Sequence, residues 1–231
     1  MSCRYLFGTT SVLVLGFLAL GGLLLSSCGC ASPGRSRSPL LPGAATLPTG
    51  FALASPWDLG ERHRIIRAYD VSTHTGVNRP LRTNDAYALD FDLAAGDAVL
   101  PVAPGRVRFA GEARGGFATY GLIVLLDHAQ GISSLYAHLD SVAVERGAVV
   151  SLETILGRSG SSGGVRPHLH LALYRGVRLA NNPMSAGPYG GVSVLPEPLG
   201  AQRGVGLMRD QCVESVQPRR VFDRRWHIAR V

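Results

Sequence analysis

Through the middle of the chain, apolar residues fall into short runs broken at Pro104-Gly105, Gly115-Gly116, Gly131, Gly147 and Gly160. The runs at 107–109, 122–126, 133–138, 142–144, 148–152 and 169–174 are rich in β-branched, aromatic and large aliphatic residues, which predicts strands joined by tight turns. A further short strand is expected where Asp90 and Asp92 alternate with apolar neighbours. Outside the N-terminal region no long segment shows a helical period. The pattern predicts a mainly β fold built on an antiparallel sheet, with the Gly-rich loop at 157–164 among the walls of a groove.

The N-terminal region differs. Residues 12–25 are almost all apolar, with Arg4 before them and Ser26-Ser27-Cys28 after them. This is the shape of a lipoprotein signal peptide over residues 1–27, with Cys28 as the lipid-modified first residue; the alternative is an uncleaved membrane helix. Either leaves the rest of the chain outside the cytoplasm, in the cell envelope, on the periplasmic or outer surface. Residues 28–50, rich in Ser, Pro and Gly, are expected to be a flexible tether. A domain is expected at 51–198, followed by an arginine-rich tail at 199–231 that is expected to be solvated, the alternatives being to pack back on the domain, bind an anionic surface or hold a partner.

With 231 residues, 46% of them apolar, the chain can bury a core of one medium-sized domain. Its net charge of +7 is carried by arginine alone and suits anionic wall polymers or lipid head groups, while no nucleic-acid-binding motif is present. The cysteines are Cys3, Cys28, Cys30 and Cys212. If Cys3 leaves with the signal and Cys28 is lipidated, two remain, too few for a disulfide framework or a thiolate zinc site, and a Cys30–Cys212 bridge is not expected.

The candidate chemistry lies in histidines and aspartates. On a strand, His168 and His170 share one face while Leu169, Leu171 and Leu173 take the other. A second strand ends in His138. Neutral imidazoles serve both as zinc ligands and as proton carriers near neutral pH. A carboxylate is supplied by Asp90 or Asp92, and another imidazole by His74 or His63. One His, one Asp and one His with an open position make a hydrolytic zinc site. His128 is expected to cap a hairpin turn between two strands, Tyr136 is expected on the same face as His138 but packed, and His227 is expected to be solvated.

The ordered set His74, Tyr87-Ala88-Leu89-Asp90-Phe91, Val102-Ala103-Pro104-Gly105, Tyr120-Gly121, Asp127-His128, Tyr136-Ala137-His138-Leu139 and Pro167-His168-Leu169-His170 resembles the lysostaphin-like, or LytM-type, zinc metallopeptidases of bacterial cell wall. The resemblance implies an antiparallel β domain of the duplicated hybrid-motif type, with its zinc in a groove. It implies one zinc per chain bound by His74, Asp90 and His170, with His138 and His168 as the catalytic, non-ligand histidines. It also implies peptidoglycan stem peptides as substrate, or, for a catalytically silent relative, a cell-wall amidase as partner. In much of that family the first histidine stands four residues before the aspartate. Here that position is Ala86, and His74 followed by Thr-Gly resembles the arrangement of relatives with a more distant histidine, with His63 as the competitor.

Overall fold

The structure, a computed structural model, describes residues 45–69, 85–177, 191–200 and 207–215. Eleven strands are described: β1 (Arg62–Arg67), β2 (Leu89–Phe91), β3 (Ala98–Val99), β4 (Gly105–Glu112), β5 (Leu122–Asp127), β6 (Ile132–Val142), β7 (Val149–Val150), β8 (Gly157–Ser159), β9 (Leu169–Arg175), β10 (Val192–Val194) and β11 (Cys212–Glu214). Among the described residues the only helical pieces are 3-10 turns at Gly115–Tyr120 and Ala129–Gly131. The expected mainly β, antiparallel fold is what forms.

Among the described residues every pairing between these strands is antiparallel, and the main path runs β11-β1-β2-β9-β6-β5-β4-β7. The expected run at 142–144 is not a separate strand, because β6 is long and carries Val142 at its end. β1, β3, β8, β10 and β11 had no clear signal in the sequence. They are short or charged, and their pairing partners rather than their own alternation hold them extended.

The sheet buries apolar side chains on both faces. One face gathers Leu89, Phe91, Leu169, Leu171, Leu173, Tyr136 and Leu139 into the larger core. The other gathers Ala88, Leu125, Leu135, Ala137, Ala172 and Tyr174. The period of two in β9 produces this division, with odd positions in the large core and even positions on the opposite face. His168 and His170 lie on the even face.

Segments on both sides of residues 51–198 join the sheet. Ala45 bridges Val194, and its carbonyl accepts a bond from Leu195 N–H at 2.9 Å, so the fold takes in the last residues assigned to the tether. The tail expected to be solvated re-enters the sheet as β11, where Val213 is fully buried against β1. Cys212 is disulfide-bonded, which corrects the expectation that no bridge forms; its partner lies outside the described residues. A three-residue edge strand has little hydrogen-bonded ladder of its own, and a covalent tie reduces the freedom of the unfolded chain around it. Among the described residues no helix is long and apolar enough to cross a membrane; residues 12–25, Cys28 and His227 lie outside them.

His128 and Tyr136 belong to a buried polar chain in the core. Val102 N–H donates to the Tyr136 hydroxyl at 2.7 Å, and that hydroxyl lies 3.0 Å from Ser134 Oγ. Ser134 Oγ is 2.7 Å from His128 Nε2, and His128 Nδ1 is 2.9 Å from the Pro104 carbonyl oxygen. His128 thus sits at the expected hairpin, but its side chain points into the core rather than capping the turn. Burial pulls its imidazole down to about 4, against the opposing pull of Pro104 and Asp127. The folded value lies below the ordinary 6.5, so this group's contribution is present above pH 6.5 and is lost as pH falls toward about 4. At 1.36 kcal/mol per unit, the loss is about 3 kcal/mol. Denaturant unfolding of the wild type and His128→Gln between pH 7 and 4 should show a shallower decline in the variant; equal declines would refute this.

Candidate active site

Asp90 and His170 are direct cross-strand partners on β2 and β9, and both are buried. His170 Nδ1 lies 2.8 Å from Asp90 Oδ1, and His168 Nε2 lies 3.6 Å from Asp90 Oδ2. Pairing of β2 with β9 thus brings together residues eighty positions apart. From outside the core, Arg67 on β1 donates Nη1–H to Asp90 Oδ2 at 3.0 Å.

His138 reaches the same place by breaking a strand. β6 pairs with β9 as far as Ala137↔His170, then with β8 from Leu139↔Ser159. Opposite, the β5 register runs from Val124↔Tyr136 to Leu122↔Leu139, so β6 carries one extra residue there. This is a β-bulge, and His138 in it has φ +63°. Tyr136 and Leu139 therefore both enter the large core while His138 turns to the face of His168 and His170, at ring-centroid distances of 4.5 Å and 5.9 Å. The expectation that Tyr136 shares a face with His138 fails at this bulge; that Tyr136 is packed holds.

Backbone carbonyls fix the tautomers of the two outer histidines. His138 Nδ1 lies 3.1 Å from the Ser162 carbonyl oxygen, and His168 Nδ1 lies 2.7 Å from that of Arg166. A carbonyl only accepts, so each Nδ1 carries the proton and each Nε2 keeps a lone pair. Burial first, then the neighbouring His170 and His168, pull His138 down to about 3. Burial also pulls His168 down, with Asp90 opposing it. Both rings are thereby neutral at physiological pH.

The Ser162 carbonyl is held in place by close backbone packing. A Cβ on Gly121 (φ +65°) would strike Ser162, and one on Gly163 (φ +81°) would strike the Thr119 carbonyl. Leu122 N–H donates to Ser162 Oγ at 2.8 Å. The expected Gly-rich wall is thus seated against the segment carrying Tyr120, whose ring stacks on His138 at 6.4 Å and meets His170 edge-on at 5.5 Å.

Asp85 is the residue of this cluster that the sequence did not reveal. It is buried, accepts hydrogen bonds from the hydroxyls of Tyr120 and Tyr174, and lies with Oδ2 3.5 Å from His170 Nε2. Tyr174 could have been found, because it stands four residues after His170 on the same strand face. Asp85 falls in a turn with no periodicity to mark it. Burial pulls the His170 imidazole down, but Asp85 and Asp90 together outweigh it and hold it up to about 10 in the metal-free protein. For Asp85 burial acts upward, and the bonds from His170, Tyr120 and Tyr174 bring it below the usual carboxylate range.

Asp92 pairs with Arg64 at 3.0 Å and plays no part in the cluster. His63 packs edge-on against Trp57, with Nδ1 3.1 Å from the Asp92 carbonyl oxygen. His74 lies outside the described residues, and among the described residues no group of three or more His, Cys, Asp or Glu is disposed to hold a metal. The two expected ligands that are described do suit zinc in chemistry, since a carboxylate oxygen and an imidazole nitrogen converge with the imidazole's other edge facing a carboxylate.

The described residues thus place a paired Asp and His beside two neutral histidines in a mainly β domain. Residues 84–183 match the model of peptidase family M23, and the resemblance to LytM-type and lysostaphin-like peptidases is upheld. That family is zinc-dependent. The cell division protein DipM of Caulobacter vibrioides is 34% identical over 105 residues, 45% of this chain and 16% of DipM. The DD-carboxypeptidase/endopeptidase Mpg of Neisseria meningitidis is 38% identical over 84 residues, 36% of this chain and 18% of Mpg. The chain therefore spans less than a fifth of the length of these curated relatives. Among solved structures, Helicobacter pylori Csd3 superposes with a TM-score of 0.41 at 30% identity, covering 55% of this chain and 30% of Csd3.

Proposed function

We propose that this protein is a zinc metalloendopeptidase that hydrolyses peptide crosslinks of peptidoglycan, exported and held at a membrane through lipidated Cys28. The observation that carries the reading is the facing pair Asp90 and His170 with His138 and His168 beside it, each held at Nδ1 by a backbone carbonyl. His74, Asp90 and His170 would hold the metal. Bound zinc supplies a Lewis acid and brings a water within reach of deprotonation near neutral pH.

The protein's own groups do the rest. His138 or His168 accepts the proton of the attacking water at Nε2, its ring held by the Ser162 or Arg166 carbonyl. Once protonated, that ring is a cationic donor beside the developing oxyanion and then returns the proton to the leaving amine. No serine or cysteine nucleophile is needed, so no acyl-enzyme forms.

Two facts favour a second reading, a silent LytM-type regulator of a separate amidase: Ala86 stands where much of the family carries a ligand, and DipM is a cell division protein by name. Digestion of purified, crosslinked peptidoglycan with zinc distinguishes them, with products read by mass. Uncrosslinked peptides that vanish with chelator or in Asp90→Ala are the expected result. No products at stoichiometric zinc from a folded protein would overturn the enzyme in favour of the regulator.

A further inference from the structure

We propose that Asp85 is the positioning residue that fixes the ring nitrogen His170 offers to the metal. The inference rests on His170 being a metal ligand and adds the group that orients it. An imidazole presents either nitrogen, and the partner of the second nitrogen selects which. Here Nδ1 faces Asp90 Oδ1 at 2.8 Å, and Nε2 faces Asp85 Oδ2 at 3.5 Å. Without metal, Nδ1–H donates to the nearer carboxylate, Asp90; a metal held with Asp90 would replace that proton, and the Asp85 carboxylate would keep the other proton on Nε2.

Asp85 is itself fixed. The Tyr120 hydroxyl donates to Oδ2 and the Tyr174 hydroxyl to Oδ1, so both oxygens are occupied and the carboxylate cannot turn away. Tyr174 lies on β9 with His170, and Tyr120 closes the 3-10 turn that carries the loop contact with Ser162. The clamp therefore links the strand bearing His170 to the segment beside His138. Asp85 also directly precedes Ala86, so the turn that lacks a family ligand supplies an orienting carboxylate instead.

The test measures zinc affinity of the full-length protein by competition with a chromogenic chelator, for the wild type, Asp85→Asn, Asp85→Ala, Tyr174→Phe and His170→Ala. Loss of an outer carboxylate of this kind weakens metal affinity by about 10- to 100-fold. That range is expected for Asp85→Ala, with smaller losses for Asp85→Asn and Tyr174→Phe and loss of the site in His170→Ala. Wild-type affinity in Asp85→Ala together with loss in His170→Ala would overturn the role of Asp85 alone. Wild-type affinity in His170→Ala would overturn the metal reading and this inference with it. Imidazole 15N spectra of the unmutated, zinc-loaded protein keep the question open to a negative answer if the variants do not fold. A proton on His170 Nε2 supports the proposal, and a proton on Nδ1 refutes it.

Discussion

Replacing His170 with alanine should abolish peptide hydrolysis and, in the metal-free protein, cost about 3–5 kcal/mol of stability. His170 is the cation between two buried carboxylates, Asp85 and Asp90. Removing it leaves both charges buried with their strongest partner gone, which is far more costly than losing a surface ion pair. The pH dependence follows from the raised imidazole. Its folded value of about 10 lies above the ordinary 6.5, so its contribution is fully present below pH 6.5 and is lost as pH rises toward 10. In the presence of chelator the wild type should therefore lose stability between those limits, and His170→Ala should lose much less. A metal must displace the same proton, so zinc uptake should release it and tighten as pH rises. Denaturant titrations with chelator from pH 6 to 10 provide the check, and a penalty under about 1 kcal/mol at pH 6 would contradict the buried-pair account.

His138→Gly and His138→Ala should both lower hydrolysis by about 10²- to 10⁴-fold, the range for a positioned acid–base group. They should differ in stability. Position 138 has φ +63°, a conformation that costs a residue with a Cβ about 1 kcal/mol and glycine almost nothing. The glycine variant should accordingly be about 1 kcal/mol more stable than the alanine variant. Both should also resist mild acid better than a chain that keeps the histidine. The folded His138 value of about 3 lies below the ordinary 6.5, so its contribution is lost as pH falls through that interval. Melting of the three proteins at pH 7 and pH 5, beside their turnover of peptidoglycan, tests the argument. Equal stability of the Gly and Ala variants would mean that the bulge stores no strain at His138.

The β9 stripe shows how far local pattern reaches. Alternation from His168 to Tyr174 was enough to place both histidines on one face and the leucines in the core, and the structure keeps that division. The same rule applied to β6 put Tyr136 and His138 together, and the bulge separated them. A bulge is fixed by the pairing of three strands, β5, β8 and β9, with β6, and the β6 sequence does not contain those partners. The short edge strands β1 and β11 were missed for a related reason. Charged residues such as Arg62, Arg64 and Arg67 read as solvent-facing until a neighbouring strand is there to receive the backbone.

By itself the sequence determined the residue types of the site, the face of β9, the antiparallel β class and the family of the domain, because each is written in spacing and motif over a few residues. The tertiary structure decided which aspartate meets His170, which way His138 points and that Asp85 joins them. Those depend on cross-strand register and on backbone contacts between segments tens of residues apart, at distances of about 3 Å. A change of one residue in register would move every such side chain to the opposite face.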